Sequence, residues 1–172
     1  MFGIFNMLAI FLTIIISFFA TTLFGHVVHW SLHQTWTGSV HKAHMTHHLK
    51  LYPPEDYTSV IYRDAGQDST PRFFAIAAIP MVLAPILLFA FGVLPFHLMV
   101  ITLIVEGLMG FLHNYLHDAF HIEKHWLYDV PVFGVIFGKW VALHYLHHVK
   151  METNYGIFQF HWDRFFGTYW KG

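Results

Sequence analysis

The sequence of 172 residues contains no cysteine. This absence excludes disulfides, thiolate zinc sites, iron–sulfur clusters and a cysteine nucleophile. Charged side chains are also scarce, at 11% of the chain, whereas ordinary globular proteins carry about 25%. The formal net charge of −1 gives no support for nucleic-acid binding. No serine stands in a nucleophile motif, so the chemistry of this chain must come from other residue types.

Apolar residues make up 56% of the chain and the mean hydropathy is +0.49. This composition predicts an all-α integral membrane helical bundle that forms a single domain over residues 1–172. Residues 1–25 carry no charge, which predicts a first span at about 3–25 rather than a signal peptide, because a basic leader and a cleavage site are both missing. The uncharged run 73–105 predicts a hairpin of two spans, 73–91 and 96–116, with its turn at 91–95. Residues 127–143 are interpreted as a re-entrant segment or a fourth span.

The distribution of positive charge predicts an orientation. All nine Lys and Arg residues lie in 42–72 and 124–171, on the same side of the membrane if the hairpin returns to where it started. The positive-inside rule then places that side in the cytoplasm and the N-terminus across the membrane.

Sixteen histidines are the most unusual feature of the composition, and ten of them form four clusters. Two clusters have the form HxxxH and two have the form HxxHH, so the rings share one helix face and adjacent histidines can serve two different ions. Because a hairpin separates the first two clusters from the last two, all four emerge at one membrane face. The pattern predicts a site for two metal ions, and imidazole ligands leave iron, copper, nickel and zinc open. The candidate ligands are His29, His33, His44, His47, His48, His113, His117, His144, His147 and His148.

Several other residues are candidates for supporting roles. Asp118 and Asp163 are predicted to orient imidazole N–H groups. Glu106 is the one acidic residue inside a predicted span, and it is either functional or a protonated structural group. His97 lies at the far tip of the hairpin and is predicted not to be a ligand. The histidines whose roles stay open are His26, His41, His121, His125 and His161.

Two stretches of the chain resemble the fatty acid hydroxylase/sterol desaturase superfamily of membrane proteins. One runs from His44 through His48 to the Pro54-Glu55-Asp56 segment. The other contains the cluster His144–His148, then Asn154-Tyr155-Gly156, and finally the run Trp162-Asp163-Arg164-Phe165-Phe166-Gly167-Thr168. Asp118 is a departure, since relatives often carry a second histidine there.

The resemblance implies a metal centre at the cytosolic membrane boundary and O₂-dependent oxidation of a lipid C–H bond. The ten clustered histidines would be the ligands, iron the expected metal, and zinc a metal that purification can introduce. Hydroxylation of an acyl, isoprenoid or sterol chain is the first expectation, and desaturation is the alternative. The reductant would be a separate electron-transfer protein, because no fused haem domain is present.

The alternative hypothesis is that the chain is not an enzyme but a membrane haem protein, or a metal-binding or transport protein. The histidines crowd at one predicted boundary in HxxHH form, whereas a transporter places its ligands near the membrane midplane.

Overall fold

The computed structural model describes residues 2–63 and 76–172, with side chains from Asn6 onward. These residues form six α-helices and no strand, so the prediction of an all-α fold is confirmed; one isolated β-bridge joins Ser59 and Ile122. The helices are α1 (Phe2–Leu32), α2 (Ser39–Thr46), α3 (Ile79–Ala90), α4 (Phe96–Phe120), α5 (Phe133–Val149) and α6 (His161–Phe166).

Two of these helices suggest a membrane. The segments Asn6–Leu32 and Phe96–Phe120 are each long and apolar enough to cross a bilayer. In each, only 6% of the most apolar window is buried inside the protein, whereas the core helix of a soluble protein would be mostly covered. Large side chains such as Phe11 and Ile104 stay exposed on them, which is the arrangement expected of a lipid-facing surface.

The other two predicted spans correspond to shorter helices. α3 has twelve residues, below the roughly 20 that a span requires, and the start of the predicted segment 73–91 lies outside the described residues. The predicted turn is present between α3 and α4, where Gly92 has a φ of 73° that favours glycine. The segment 127–143 overlaps a 3₁₀ turn, Trp126–Asp129, and includes most of the 17-residue helix α5.

α1 and α4 pack side by side and run in the same direction. Ser17 lies beside Thr102, with their hydroxyl oxygens 3.4 Å apart, and Gly25 lies beside His113, whose ring a Cβ on Gly25 would approach to 3.2 Å. The parallel direction places the histidine-bearing ends of both helices at the same end of the molecule. These two clusters therefore lie at one end of the molecule, and their position at one membrane face stays a prediction.

The remaining elements close around that end. A small hydrophobic core is formed by the end of α4, the following turn, α5 and the segment after α5. It contains Leu116, Phe120, Leu127, Phe137 and Ile157. α6 is attached to α1 through the Trp162 indole, which donates a hydrogen bond to the Thr22 hydroxyl at 3.0 Å. These contacts hold α1, α4 and α5 together near the clustered histidines.

Candidate metal centre

Nine buried or half-buried histidines form two groups whose ligand atoms lie, within each group, no more than 4.8 Å from one another. The first group consists of His29, His33, His44, His48 and His147. The second group consists of His47, His121, His144 and His148. The groups adjoin, since the rings of His48 and His148 are 4.0 Å apart between centroids.

Both HxxHH motifs divide their adjacent histidines between the groups. His47 belongs to the second group and His48 to the first, while His147 belongs to the first and His148 to the second. Each pair lies on helical backbone, where consecutive residues point about 100° apart. His47 and His48 lie in a π-helical turn, His47–Leu51, that continues α2, and such turns are frequent at functional sites.

Ring nitrogens within the first group are in direct contact. The Nε2 atom of His33 lies 3.1 Å from Nε2 of His147 and 3.0 Å from Nε2 of His44, which is itself 3.1 Å from Nε2 of His48. For metal–nitrogen bonds of about 2.1 Å, neighbouring ligand atoms lie roughly 3.0–3.4 Å apart. The observed spacing therefore matches the edges of a coordination polyhedron.

Hydrogen bonding alone does not account for these contacts. The Nδ1 atom of His147 lies 2.6 Å from the Thr153 carbonyl oxygen, so Nδ1 carries the proton and Nε2 presents a lone pair. His33 contacts two imidazole nitrogens through one Nε2 atom, which carries at most one proton. A cation that accepts lone pairs from several rings satisfies all of them at once.

The second group has a similar construction. Nε2 of His144 lies 3.3 Å from Nε2 of His121, and the rings of His47 and His121 are 4.8 Å apart between centroids. The Nε2 atom of His148 is buried and has no hydrogen-bond partner among the described residues. A buried lone pair without a partner is costly unless a ligand uses it.

Backbone carbonyls orient four of the rings through Nδ1. His29 donates to the Tyr155 carbonyl at 2.7 Å, His148 to Tyr52 at 2.8 Å, and His121 to Tyr57 at 3.0 Å. His147 donates the fourth bond of this kind, to the Thr153 carbonyl. A donated Nδ1–H fixes the tautomer and directs Nε2 toward the centre, as is usual for histidines that bind metals.

Burial keeps the imidazoles outside the long apolar helices neutral. Desolvation, followed by repulsion from neighbouring imidazoles, lowers the pKa of His33 from 6.5 to about 2. The pKa values of His44, His48 and His144 are lowered well below the ordinary value for the same reasons. Neutral imidazole is the form that binds metals.

Eight of the ten histidines predicted as ligands lie in the two groups, and His113 and His117 do not. The His117 ring nevertheless lies 4.8 Å from that of His47 and 4.9 Å from that of His144, and its Nδ1 is 3.5 Å from an Asp118 carboxylate oxygen. His113 lies farther back along α4, against Gly25. His121, whose role was open, belongs to the second group.

The other open histidines lie outside the groups. His41 contacts the Leu32 carbonyl, and His125 lies 3.4 Å from the Tyr115 hydroxyl. His26 stacks on Phe166, and His161 packs edge-on against Phe19. His97 is exposed at the start of α4, about 30 Å along the helix from His117 by helical rise.

Asp163 supports the site through the backbone and not through an imidazole. Its fully buried carboxylate accepts hydrogen bonds from the Tyr155 N–H at 2.7 Å, the Gly156 N–H at 2.9 Å and the Thr168 hydroxyl at 2.8 Å. The nearest imidazole, that of His26, is 3.7 Å away and lies outside both groups. The prediction that Asp163 orients a ligand is therefore replaced by an indirect role, because Asp163 holds the loop whose carbonyls orient His29 and His147.

Sequence reasoning missed the part played by the loop 153–156. Asn154 has a φ of 52°, and its side chain bonds the Leu143 and Trp170 carbonyls and the Trp170 N–H. Asparagine adopts a left-handed backbone more readily than most residues, and this preference of Asn154 is the sequence signal that marks the loop.

No family model, curated protein or solved structure matches this chain. The class is therefore defined by the fold and the site alone. They describe an all-helical protein in which two long apolar helices suggest a membrane and two adjoining histidine groups suggest metal binding.

Proposed function

We propose that this protein is an integral-membrane, histidine-ligated di-metal oxygenase that oxidises a C–H bond of a lipid chain, with hydroxylation as the first reaction expected. The observation that carries the proposal is the pair of adjoining imidazole groups. Nitrogen-only ligands suit iron and also zinc or copper. Iron is the metal proposed, because bound iron would supply the O₂-dependent oxidation of an unactivated C–H bond.

The donor set fits two metal ions. Each group offers at least four imidazoles, and the Nε2 atoms of His29 and His148, one in each group, are buried without a hydrogen-bond partner among the described residues. The carbonyls of Tyr155, Thr153, Tyr52 and Tyr57 hold four rings in place before any metal arrives. Such pre-orientation lowers the cost of assembling the site.

The remaining tasks of this chain are to exclude water and present the substrate. Tyr52 and Phe120 are fully buried against the rings of His121 and His144 and shield them from solvent. The buried Phe137 packs against Phe120. The two long helices expose apolar side chains along their length, which favours a lipid as substrate. The proposed membrane orientation has the metal site on the cytoplasmic side and the N-terminus opposite, with electrons delivered by a separate protein.

Metal analysis tests the di-metal centre. Protein purified in detergent should hold about two ions per chain, and His147→Ala should hold fewer, because His147 contributes a lone pair to the first group. His97→Ala is the matched control, since this exposed ring lies at the opposite end of α4. Full metal retention in His147→Ala, or one ion or fewer in the wild type, would contradict the proposal.

Lipid profiling tests the reaction. Cells that express the chain should accumulate a lipid heavier by one oxygen atom for hydroxylation, or lighter by two hydrogens for desaturation, and the His147→Ala cells should not. An absorption spectrum tests the competing hypothesis of a haem protein, because a Soret band would indicate haem. Two bound metals without any change in lipid composition would favour a metal-binding or transport role instead.

A further inference from the structure

A cavity of about 250 Å³ lies between α1, α3 and α4. Its wall on α4 includes Leu103, Glu106, Gly110 and His113, and its wall on α1 includes Gly25. The α4 residues Glu106, Gly110 and His113 lie on one face of that helix, at steps of four and three. The cavity is slightly smaller than the roughly 300–1,000 Å³ of small-molecule sites, so it accommodates a segment of a lipid.

Two side chains of this cavity have unsatisfied polar atoms. Glu106 Oε2 and Gln159 Nε2 are both buried, and neither has a hydrogen-bond partner among the described residues. Glu106 is also the one charged residue between Phe96 and Leu116. Leaving such atoms unpaired away from water is unfavourable. Both residues line the cavity, so a polar group bound there would pair with them.

The two unsatisfied groups are complementary to a hydroxyl. A hydroxyl donates one hydrogen bond and accepts others, so it can donate to a Glu106 carboxyl oxygen and accept from the Gln159 amide. The surrounding side chains, such as Phe24, Met81 and Leu103, are apolar. A purely hydrocarbon chain would leave both groups unpaired.

The cavity also leads toward the metal centre. Its lining includes His113, one helical turn before His117, whose ring lies within 5 Å of the rings of His47 and His144. Glu106 precedes His117 by eleven residues, or about 16 Å along the helix. A lipid whose polar group lies beside Glu106 would extend toward the two histidine groups.

We propose that this cavity binds a lipid that carries a hydroxyl group, and that Glu106 and Gln159 hold this hydroxyl roughly 16 Å from the carbon to be oxidised. That the bound lipid is the substrate rests on the proposed function. The binding of a hydroxyl-bearing lipid in the cavity rests only on the residues of the cavity.

Photolabelling of the full chain in detergent tests the proposal. The probes are a long-chain alcohol carrying a diazirine and the methyl ether of the same alcohol, which accepts but cannot donate a hydrogen bond. In the wild type the alcohol should label the α4 peptide about two- to tenfold more than the ether, the advantage expected from one hydrogen bond. Glu123→Leu, an exposed position outside the cavity, should keep this preference.

Two variants separate the polar contact from the cavity itself. Glu106→Leu should label equally with both probes, whereas Gly110→Leu should label with neither, because a Cβ there enters open space and its side chain fills the cavity. Equal labelling of the wild type by alcohol and ether, or a preference that survives in Glu106→Leu, would overturn the proposal. So would unchanged labelling in Gly110→Leu.

Far-UV circular dichroism on the same samples confirms that each variant is folded, and metal content keeps the two proposals distinct. Normal metal content with no alcohol preference would refute the hydroxyl site alone. A strong alcohol preference in protein that binds no metal would refute the oxygenase and leave the lipid site standing.

Discussion

Replacing Asp163 with asparagine tests whether the loop 153–156 controls the metal centre. The buried carboxylate accepts three hydrogen bonds, two of them from the Tyr155 and Gly156 N–H groups. Asparagine keeps one acceptor oxygen and turns an NH₂ group toward a donor. We therefore expect the loss of one charge-assisted bond, about 1.5–3 kcal/mol, and one buried unpaired donor, roughly 1–3 kcal/mol.

The expected consequence is therefore a loss of about 3–5 kcal/mol in the free energy of unfolding, since the two terms overlap in part. Because the same loop supplies the carbonyls that orient His29 and His147, metal affinity should fall about 10–100-fold. Thermal unfolding in detergent and a metal titration measure the two effects separately.

Asp118→Asn is the matched control for Asp163→Asn. The Asp118 side chain is 43% exposed and approaches His117 only to 3.5 Å, so its replacement should change both measurements little. If Asp163→Asn unfolds at the wild-type temperature and binds metal with wild-type affinity, the loop does not orient the ligands and the reasoning is wrong.

Two further predictions follow from the burial of the histidines and from the absence of cysteine. Metal-free protein should lose stability as the pH falls below about 6.5: the folded pKa of His33 is about 2, so the unfolded chain takes up more protons in that range. Far-UV circular dichroism across pH should show this loss; unchanged stability between pH 7 and 5 would contradict it. Because the chain has no cysteine, single cysteines at Val93, on the hairpin turn, and at Glu123, near the metal centre, can report sidedness. A membrane-impermeant thiol reagent should reach Glu123→Cys from the cytoplasmic side and Val93→Cys from the other, and labelling of both from one side would refute the orientation.

The helical class and the clustering of histidines were predictable because both depend on short-range spacing. Uncharged apolar runs produced α1 and α4, and the breakers at 91–95 produced the turn between α3 and α4. The span 73–91 stays a prediction, because its first residues lie outside the described part of the chain. The helix Ile79–Ala90 is described within it.

Which individual histidines belong to the two groups was harder to predict from the sequence. His113 and His121 flank His117 at equal steps of four, so spacing cannot choose between them. In the structure His121 is turned into the second group by its bond to the Tyr57 carbonyl, which is 64 residues distant in sequence. His113 instead packs against Gly25 on α1.

The sequence by itself determined that this protein is helical, that it has two long apolar helices, and that HxxHH and HxxxH motifs place imidazoles on shared helix faces. These properties follow from periodicity within a few residues. Only the tertiary structure decided that adjacent histidines divide between two groups and that backbone carbonyls orient them. It also decided that Asp163 acts through a loop, because contacts such as that between His29 and Tyr155 join residues 126 positions apart.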